Sequence, residues 1–174
     1  DVTGTAEANS TVTVFVDGSP AGTTVADGSG NWTFTITPAL AEGTYAISAT
    51  AEDAQGNESA PSSDVFLTID TTAPTTTIDS APPADDNDAT PAFTFSSNEG
   101  GATFECSVDG GAWTSCSSPH TTAALADGPH TFEVRATDAA GNTDATPASH
   151  SWNIDTATPA APVITSPADG STTG

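Results

Sequence analysis

The sequence predicts an all-β protein built from two antiparallel sandwiches in tandem. Apolar residues alternate with polar ones in short runs, Asp, Asn and Gly punctuate those runs, and part of the first half returns in the second half at a fixed offset. Residues 40–59, LAEGTYAISATAEDAQGNES, align without a gap to residues 125–144, LADGPHTFEVRATDAAGNTD. Asp138, Asn142, Asp155 and Pro159 each lie 85 positions after Asp53, Asn57, Asp70 and Pro74. A constant period of this length marks an array of domains rather than one large fold. The 174 residues suit two domains of roughly 85 to 90 residues.

The strands can be read in order from their period of two, which places alternate side chains on one face. In the first unit Val12, Val14 and Val16 alternate with polar neighbours, then Trp32, Phe34 and Ile36, then Tyr45, Ile47 and Ala49, then Val65, Leu67 and Ile69. The second unit offers Phe93 and Phe95, then Phe104, Cys106 and Val108, then His130, Phe132, Val134 and Ala136, then Trp152 and Ile154. Asp17-Gly18, Asp27-Gly28, Gly30-Asn31, Glu42-Gly43, Gly56-Asn57, Asp127-Gly128 and Gly141-Asn142 are turn signals between the runs. About seven half-buried strands per unit is the pattern of an antiparallel sandwich.

The charge balance narrows the function. Asp and Glu number 23 against a single basic residue, Arg135, for a net charge of -22. Such a chain repels phosphate backbones and anionic headgroups, which excludes nucleic acid and argues against membrane binding, and it attracts divalent cations. An acidic, lysine-free surface also suits high salt or a protease-rich exterior. No signal peptide and no long apolar run occurs in these residues, so export would be specified elsewhere in the polypeptide.

Cys106 and Cys116 flank Asp109-Gly110-Gly111, a hairpin-turn signal, within FECSVDGGAWTSC. The two cysteines are expected across from each other as a hairpin disulfide, which fits an exported protein. A metal pair is the alternative, but no CxxC spacing and no neighbouring histidine accompanies them.

The runs GTAEANSTVTVFVDG, DGSGNWTFTI, LAEGTYAISATAEDAQGN and TIDTTAP, and in the second unit FECSVDGGAW, LADGPHTFEVRATDAAGNTD and NIDT, resemble the tandem bacterial immunoglobulin-like repeats of large cell-surface adhesins and biofilm proteins. The resemblance covers nearly the whole chain. It implies two immunoglobulin-like sandwiches, residues 1–72 lacking their own first strand and residues 73–157 carrying the hairpin disulfide. Residues 158–174 are then the opening strand of the next repeat or subunit. Read from Gly174 into Asp1, SPADGSTTGDVTGTAEANSTVTV runs like one uninterrupted repeat. The neighbour would therefore complete the fold, either by covalent tandem repetition or by a donated strand that assembles copies head to tail.

The loops DAQGN and DAAGN are the best site candidates. An Asp and an Asn four apart around a glycine turn can face one point, and calcium takes six to eight oxygens. In the repeats that the chain resembles, calcium near domain junctions stiffens the rod. The matching residues are Asp53, Asn57 and Asp70, then Asp138, Asn142 and Asp155, with Asp85 or Asp86 and Asp169 able to complete each shell. Equally, Asp and Asn cap tight turns through their own hydrogen bonds.

No catalytic constellation stands out, and the chain reads as a non-enzyme. Acidic pairs arise by chance in so acidic a chain, and no lysine, free thiolate or histidine cluster joins them. His130 takes the place of Tyr45, after a Leu-x-acid-Gly turn that looks like a tyrosine corner, which points to a structural role. His120 and His150 read as exposed strand residues. Trp32 and Trp152 fall on the apolar phase and are expected in the core. Trp113 is the one credible exposed aromatic. Asn9, Asn31 and Asn57 open N-x-Ser/Thr triplets.

The expected function is a structural repeat of an extracellular rod or filament at the bacterial cell surface, with copies of itself as partners. The alternatives are a module for a surface glycan or host receptor, using Asp85–Asp88 and Asn98–Gly101, or an accessory domain of an extracellular hydrolase.

Overall fold

A computed structural model describes residues 1–165 as strands, turns and extended chain, in two compact units that divide between Thr72 and Ala73. No helix among these residues is long and apolar enough to cross a membrane. The first unit holds β1 (Val2–Thr5), β2 (Thr11–Val16), β3 (Ser19–Val25), β4 (Asn31–Phe34), β5 (Gly43–Glu52) and β6 (Val65–Ile69). The second holds β7 (Thr76–Ser80), β8 (Asp85–Asp86), β9 (Ala92–Ser97), β10 (Thr103–Val108), β11 (Thr114–Cys116), β12 (His120–Thr121), β13 (Gly128–Thr137) and β14 (Ala148–Ile154).

In the second unit one sheet runs β12-β9-β7 and the other β11-β10-β13-β14-β8. All ladders are antiparallel except that between β14 and β8, which is parallel. In the first unit the sheets run β4-β1 and β3-β2-β5-β6. The strand order is the same in both units once β7 and β8 are set aside, so β1 stands where β9 stands and β6 where β14 stands. Six and eight strands thus replace the expected seven per unit, and the difference lies entirely in the opening segment.

The turns explain the hairpins. Asp17 and Gly18, the two residues between β2 and β3, have φ of 50° and 73°, the left-handed pair that matches the twist of a two-residue hairpin, and Asp109 and Gly110 repeat it with 54° and 68° at the start of the longer connection from β10 to β11. At Gly4 a Cβ would overlap the Trp32 ring, which lies across the strand, so only glycine fits there.

Each unit has its own core. Phe93, Phe95, Cys106, Phe132, Val134, Trp152 and Ile154 are buried in the second, with Phe93 stacked on Phe132 at 4.1 Å between centroids. In the first the buried apolar side chains are only Val12, Val14, Ala26 and Ile47, and Trp32, Phe34 and Tyr45 pack against them half-buried. Trp32 is therefore not the core residue its phase predicts. β6 departs further from expectation: Val65, Phe66 and Leu67 are 67, 72 and 37 % exposed. Alternation puts Val65 and Leu67 on the inward face and Phe66 on the other, but no strand among the described residues covers the inward face beside them.

Candidate functional site

A groove of about 910 Å³ opens in the first unit, lined by β1, by β5 and β6, and by residues 57–60, 62 and 63. It lies where the second unit places its opening segment. There β7 pairs with β9, the chain crosses between sheets at Ala81–Ala84, and β8 runs parallel beside β14. The matching edges of β1 and β6 have no such partner among the described residues.

The opening segment of the second unit is clamped by Asp144, which is 5 % exposed. Its Oδ2 accepts the Thr76 amide at 2.8 Å, and its Oδ1 accepts the amide and hydroxyl of Thr146 at 2.8 and 2.9 Å. The Ala136 amide donates in turn to Thr76 Oγ1 at 2.9 Å. Burial raises the Asp144 pKa, but the hydrogen bonds from Thr146 and Thr76 outweigh it and hold the carboxyl below its usual value. In the first unit Ser59 stands at Asp144's place, and its hydroxyl accepts the Ala51 amide at 3.0 Å. Ala51 corresponds to Ala136, so Ser59 satisfies locally the donor that Thr76 satisfies in the second unit. The 85-residue alignment already paired Ser59 with Asp144, but nothing in it showed that either meets an opening strand.

The two DxxGN loops close on themselves. Asp53 Oδ1 accepts the amides of Gln55 and Asn57 at 2.8 and 2.9 Å, and Oδ2 accepts Asn57 Nδ2 at 2.7 Å. Asp138 likewise accepts the amides of Gly141 and Asn142 and the Asn142 side-chain amide at 2.7 to 2.8 Å. A third loop, Asp27 to Asn31, repeats the closure with its amides of Ser29 and Asn31. The side chain and amide of Asn57 hold the Asp53 carboxyl below its usual range. For Asp138 desolvation opposes the shift, and the hydrogen bonds of Asn142 and Gly141 outweigh it.

The remaining predicted ligands are dispersed within each unit. Asp53 follows the last residue of β5, whereas Asp70 follows Ile69, which pairs with Gly43 at the first. Ten residues of strand separate those ends by roughly 30 Å, so Asp53, Asn57 and Asp70 do not converge on one point of their unit. The same holds for Asp138 and Asn142 against Asp155, because Ile154 pairs with Gly128 at the start of β13. Asp70 Oδ1 accepts the Thr72 amide, and Asp155 Oδ1 that of Ala157. Asp85 pairs with Asn153 at the Asp155 end, and Asp86 accepts the Asp155 amide at its carbonyl. Asp169 lies outside the described residues. Glu99, which the ligand set omitted, brings a carboxylate oxygen within 4.8 Å of one from Asp138.

The corner residues match their structural assignment. Tyr45 donates its hydroxyl to the Ala41 carbonyl at 3.1 Å, and His130 Nε2 lies 2.8 Å from the Ala126 carbonyl, each four residues upstream. Asp17 and Asp109 bind back to the same strands through the amides of Ala46 and Thr131. His150 and His120 are half-buried rather than exposed: Nε2 of His150 lies 3.0 Å from the Pro82 carbonyl, and His120 stacks on Phe132. Trp113 is half-buried too, with the Arg135 guanidinium 4.4 Å above its ring and bonded to Glu105. Cys106 and Cys116 form the disulfide, but diagonally, since Cys106 pairs with Thr114 and Cys116 with Phe104.

The family model of the bacterial Ig-like domain matches the chain twice, over residues 1–71 and 75–156. No curated protein matches the sequence. Among solved structures, the chain is similar to fibronectin(III)-like modules of Clostridium thermocellum CbhA, at 17 % identity over 84 % of this chain and 78 % of that one, with a TM-score of 0.49. It is also similar to a Ca2+-stabilized adhesin with which an Antarctic bacterium reaches out and binds ice, at 23 % identity over 87 % of this chain and 42 % of that one, TM-score 0.43. A 1.5-MDa bacterial ice-binding adhesin gives 23 % identity over 87 % and 55 %, TM-score 0.44. The chain spans less than two thirds of either adhesin structure.

Proposed function

The chain belongs to the bacterial Ig-like domain family, in two copies, and from that premise we propose that it is a structural repeat of an extracellular rod or filament, displayed at the cell surface and continued head to tail by copies of itself. The observation that carries the reading is the duplication: two sandwiches with one strand order, repeated 85 residues apart. Stacked modules of this kind resist extension through their antiparallel ladders. The net charge of -22 keeps such an array soluble and mutually repelling at a crowded surface.

The test is access and size. Antibody raised against the 174-residue chain is expected to label intact cells of the source organism. Boiling in reductant followed by denaturing electrophoresis then reads the length of the native polypeptide, a very large species meaning covalent repetition and a band near 17.2 kDa meaning separate subunits. Labelling confined to broken cells sinks the reading.

Calcium enters this proposal at one place. Glu99 and Asp138 set two carboxylates within 4.8 Å of each other in the second unit, and a divalent cation would relieve their repulsion while taking oxygen ligands.

A further inference from the structure

We infer that Asn9 is an N-glycosylation site, its side-chain amide offered by the turn between β1 and β2 to an enzyme that transfers a sugar from a diphosphate-activated donor. The inference goes beyond the structural-repeat reading and stands apart from it.

Three asparagines open N-x-Ser/Thr triplets, Asn9, Asn31 and Asn57, and the fold treats them differently. Transfer uses the asparagine amide as nucleophile and reads the hydroxyl two positions on, so an acceptor belongs on an accessible loop. Asn57 gives its Nδ2 to Asp53 Oδ2 at 2.7 Å, and the Ser59 hydroxyl accepts the Ala51 amide at 3.0 Å and donates to the Ala60 carbonyl at 2.9 Å. Asn31 lies within β4, in register with Thr5; its side chain is among the groups bonded to the Asp27 carboxyl, and Trp32 after it packs against the core. Asn9 is exposed in its turn, and among the described residues its side-chain amide has no hydrogen-bond partner. The Thr11 hydroxyl is likewise unbonded, on an exposed residue that begins β2.

A second observation picks the same triplet. Glu7 stands two positions before Asn9, whereas Ser29 and Gln55 hold that place before Asn31 and Asn57. Glu7 is exposed, so its carboxylate is open to a cationic side chain in the peptide groove of a transferring enzyme, a charge-assisted contact that the other two triplets lack.

The turn is held by its backbone and by Ser10, which leaves the Asn9 side chain outside. The Asn9 backbone amide donates to the carbonyls of Ala26 and Asp27 at 3.1 and 3.4 Å, and buried Ser10 bonds the Glu7 carbonyl through its amide and its hydroxyl at 3.1 and 2.7 Å. Asn9 has φ 64°, the left-handed conformation that asparagine tolerates better than most residues. Thr11 pairs with Glu52, and Thr103 with Thr137, which lies 85 positions after Glu52. Gly101, two before Thr103, therefore takes the place of Asn9; its φ is 82° and it is exposed. The same turn thus stays open in the unit whose opening segment is present.

In the transfer the Asn9 side-chain nitrogen bonds to the anomeric carbon of the sugar. That carbon's bond to the diphosphate oxygen breaks, the diphosphate leaves with the electron pair, and one amide proton passes to a base of the enzyme.

The test is peptide mass spectrometry of the protein isolated from its source organism and cleaved at glutamate. Residues 8–42 then hold Asn9 and Asn31, and residues 53–58 hold Asn57. Sugar mass is expected on residues 8–42, placed on Asn9 by fragmentation, with residues 53–58 unmodified. Asn9→Gly, which keeps the left-handed turn as Gly101 does, and Thr11→Val should each lose the added mass, and Thr11→Ser should keep it. Loss of the sugar when synthesis of lipid-linked donors is blocked identifies that donor, persistence identifies a nucleotide donor, and the site stands in both cases. A bare Asn9 in the native protein overturns the inference, as does sugar carried equally by Asn31 or Asn57, or sugar retained by Thr11→Val. A labelled cell surface with a bare Asn9 removes this inference alone.

Discussion

Asp109 Oδ2 lies 2.8 Å from His130 Nδ1, while the other ring nitrogen of His130 lies 2.8 Å from the carbonyl of Ala126. Both partners are acceptors, so the two contacts are satisfied together only when both nitrogens carry protons, and the pair favours the imidazolium. The corresponding Tyr45 makes the carbonyl bond alone from its neutral hydroxyl. The same place in the two corners thus holds a phenol in one unit and a titratable imidazole in the other.

This corner gives the second unit a pH dependence. The Ala126 carbonyl and the Asp109 carboxylate raise the His130 pKa above 6.5. Its contribution to stability is therefore complete below about pH 6.5 and is lost as pH rises through the folded value. Asp109 has the opposite sign: burial pushes its pKa up, but bonds from His130 and Thr131 bring it below 3.8. Its contribution is present above about pH 3.8 and is lost as pH falls through the folded value. Thermal unfolding should show the second unit losing stability on the alkaline side of pH 6.5. His130→Tyr should keep the carbonyl bond and flatten that limb.

Asp144 should be among the least replaceable residues of the second unit. Asp144→Ala strands the Thr76 and Thr146 amides, at a cost on the order of 2–3 kcal/mol. Urea unfolding is the measurement. Amide exchange should show the loss first in β7, which hangs from Asp144 through Thr76. Ser59→Ala, at the matching place, should cost the first unit less, about 1 kcal/mol, because it removes one neutral bond.

Reducing the Cys106–Cys116 bond, or replacing both cysteines by serine, should lower the unfolding free energy of the second unit by about 2–4 kcal/mol. The transition of the first unit should stay where it is, since the two cores share no buried side chain. A shift of both transitions together would contradict independent cores.

Titration calorimetry of the full chain against calcium should show binding that weakens on Glu99→Gln and on Asp138→Asn. Asp27→Asn, in the third self-closed loop, should leave it unchanged. Equal loss in all three would mean that the ion feels only the total charge.

The sequence by itself determined the all-β class, the two-unit repeat, the turns at Asp17-Gly18 and Asp109-Gly110, and the facing of Cys106 and Cys116 across a hairpin. All of these are local or periodic: alternation assigns a face, a left-handed Asp-Gly pair assigns a hairpin, and a constant offset exposes a duplication. What only the tertiary structure decided is whether an assigned face is covered. Leu67 and Trp152 have the same phase and the same place in their strands, yet one is open and the other buried, because covering depends on an opening strand distant in sequence. Asp144 became a clamp for the same reason, through Thr76, 68 residues away. The DxxGN loops carried two readings in sequence, and the fold showed their carboxylates turned onto their own amides and, within each unit, the loop at one end of its ten-residue strand and Asp70 or Asp155 at the other.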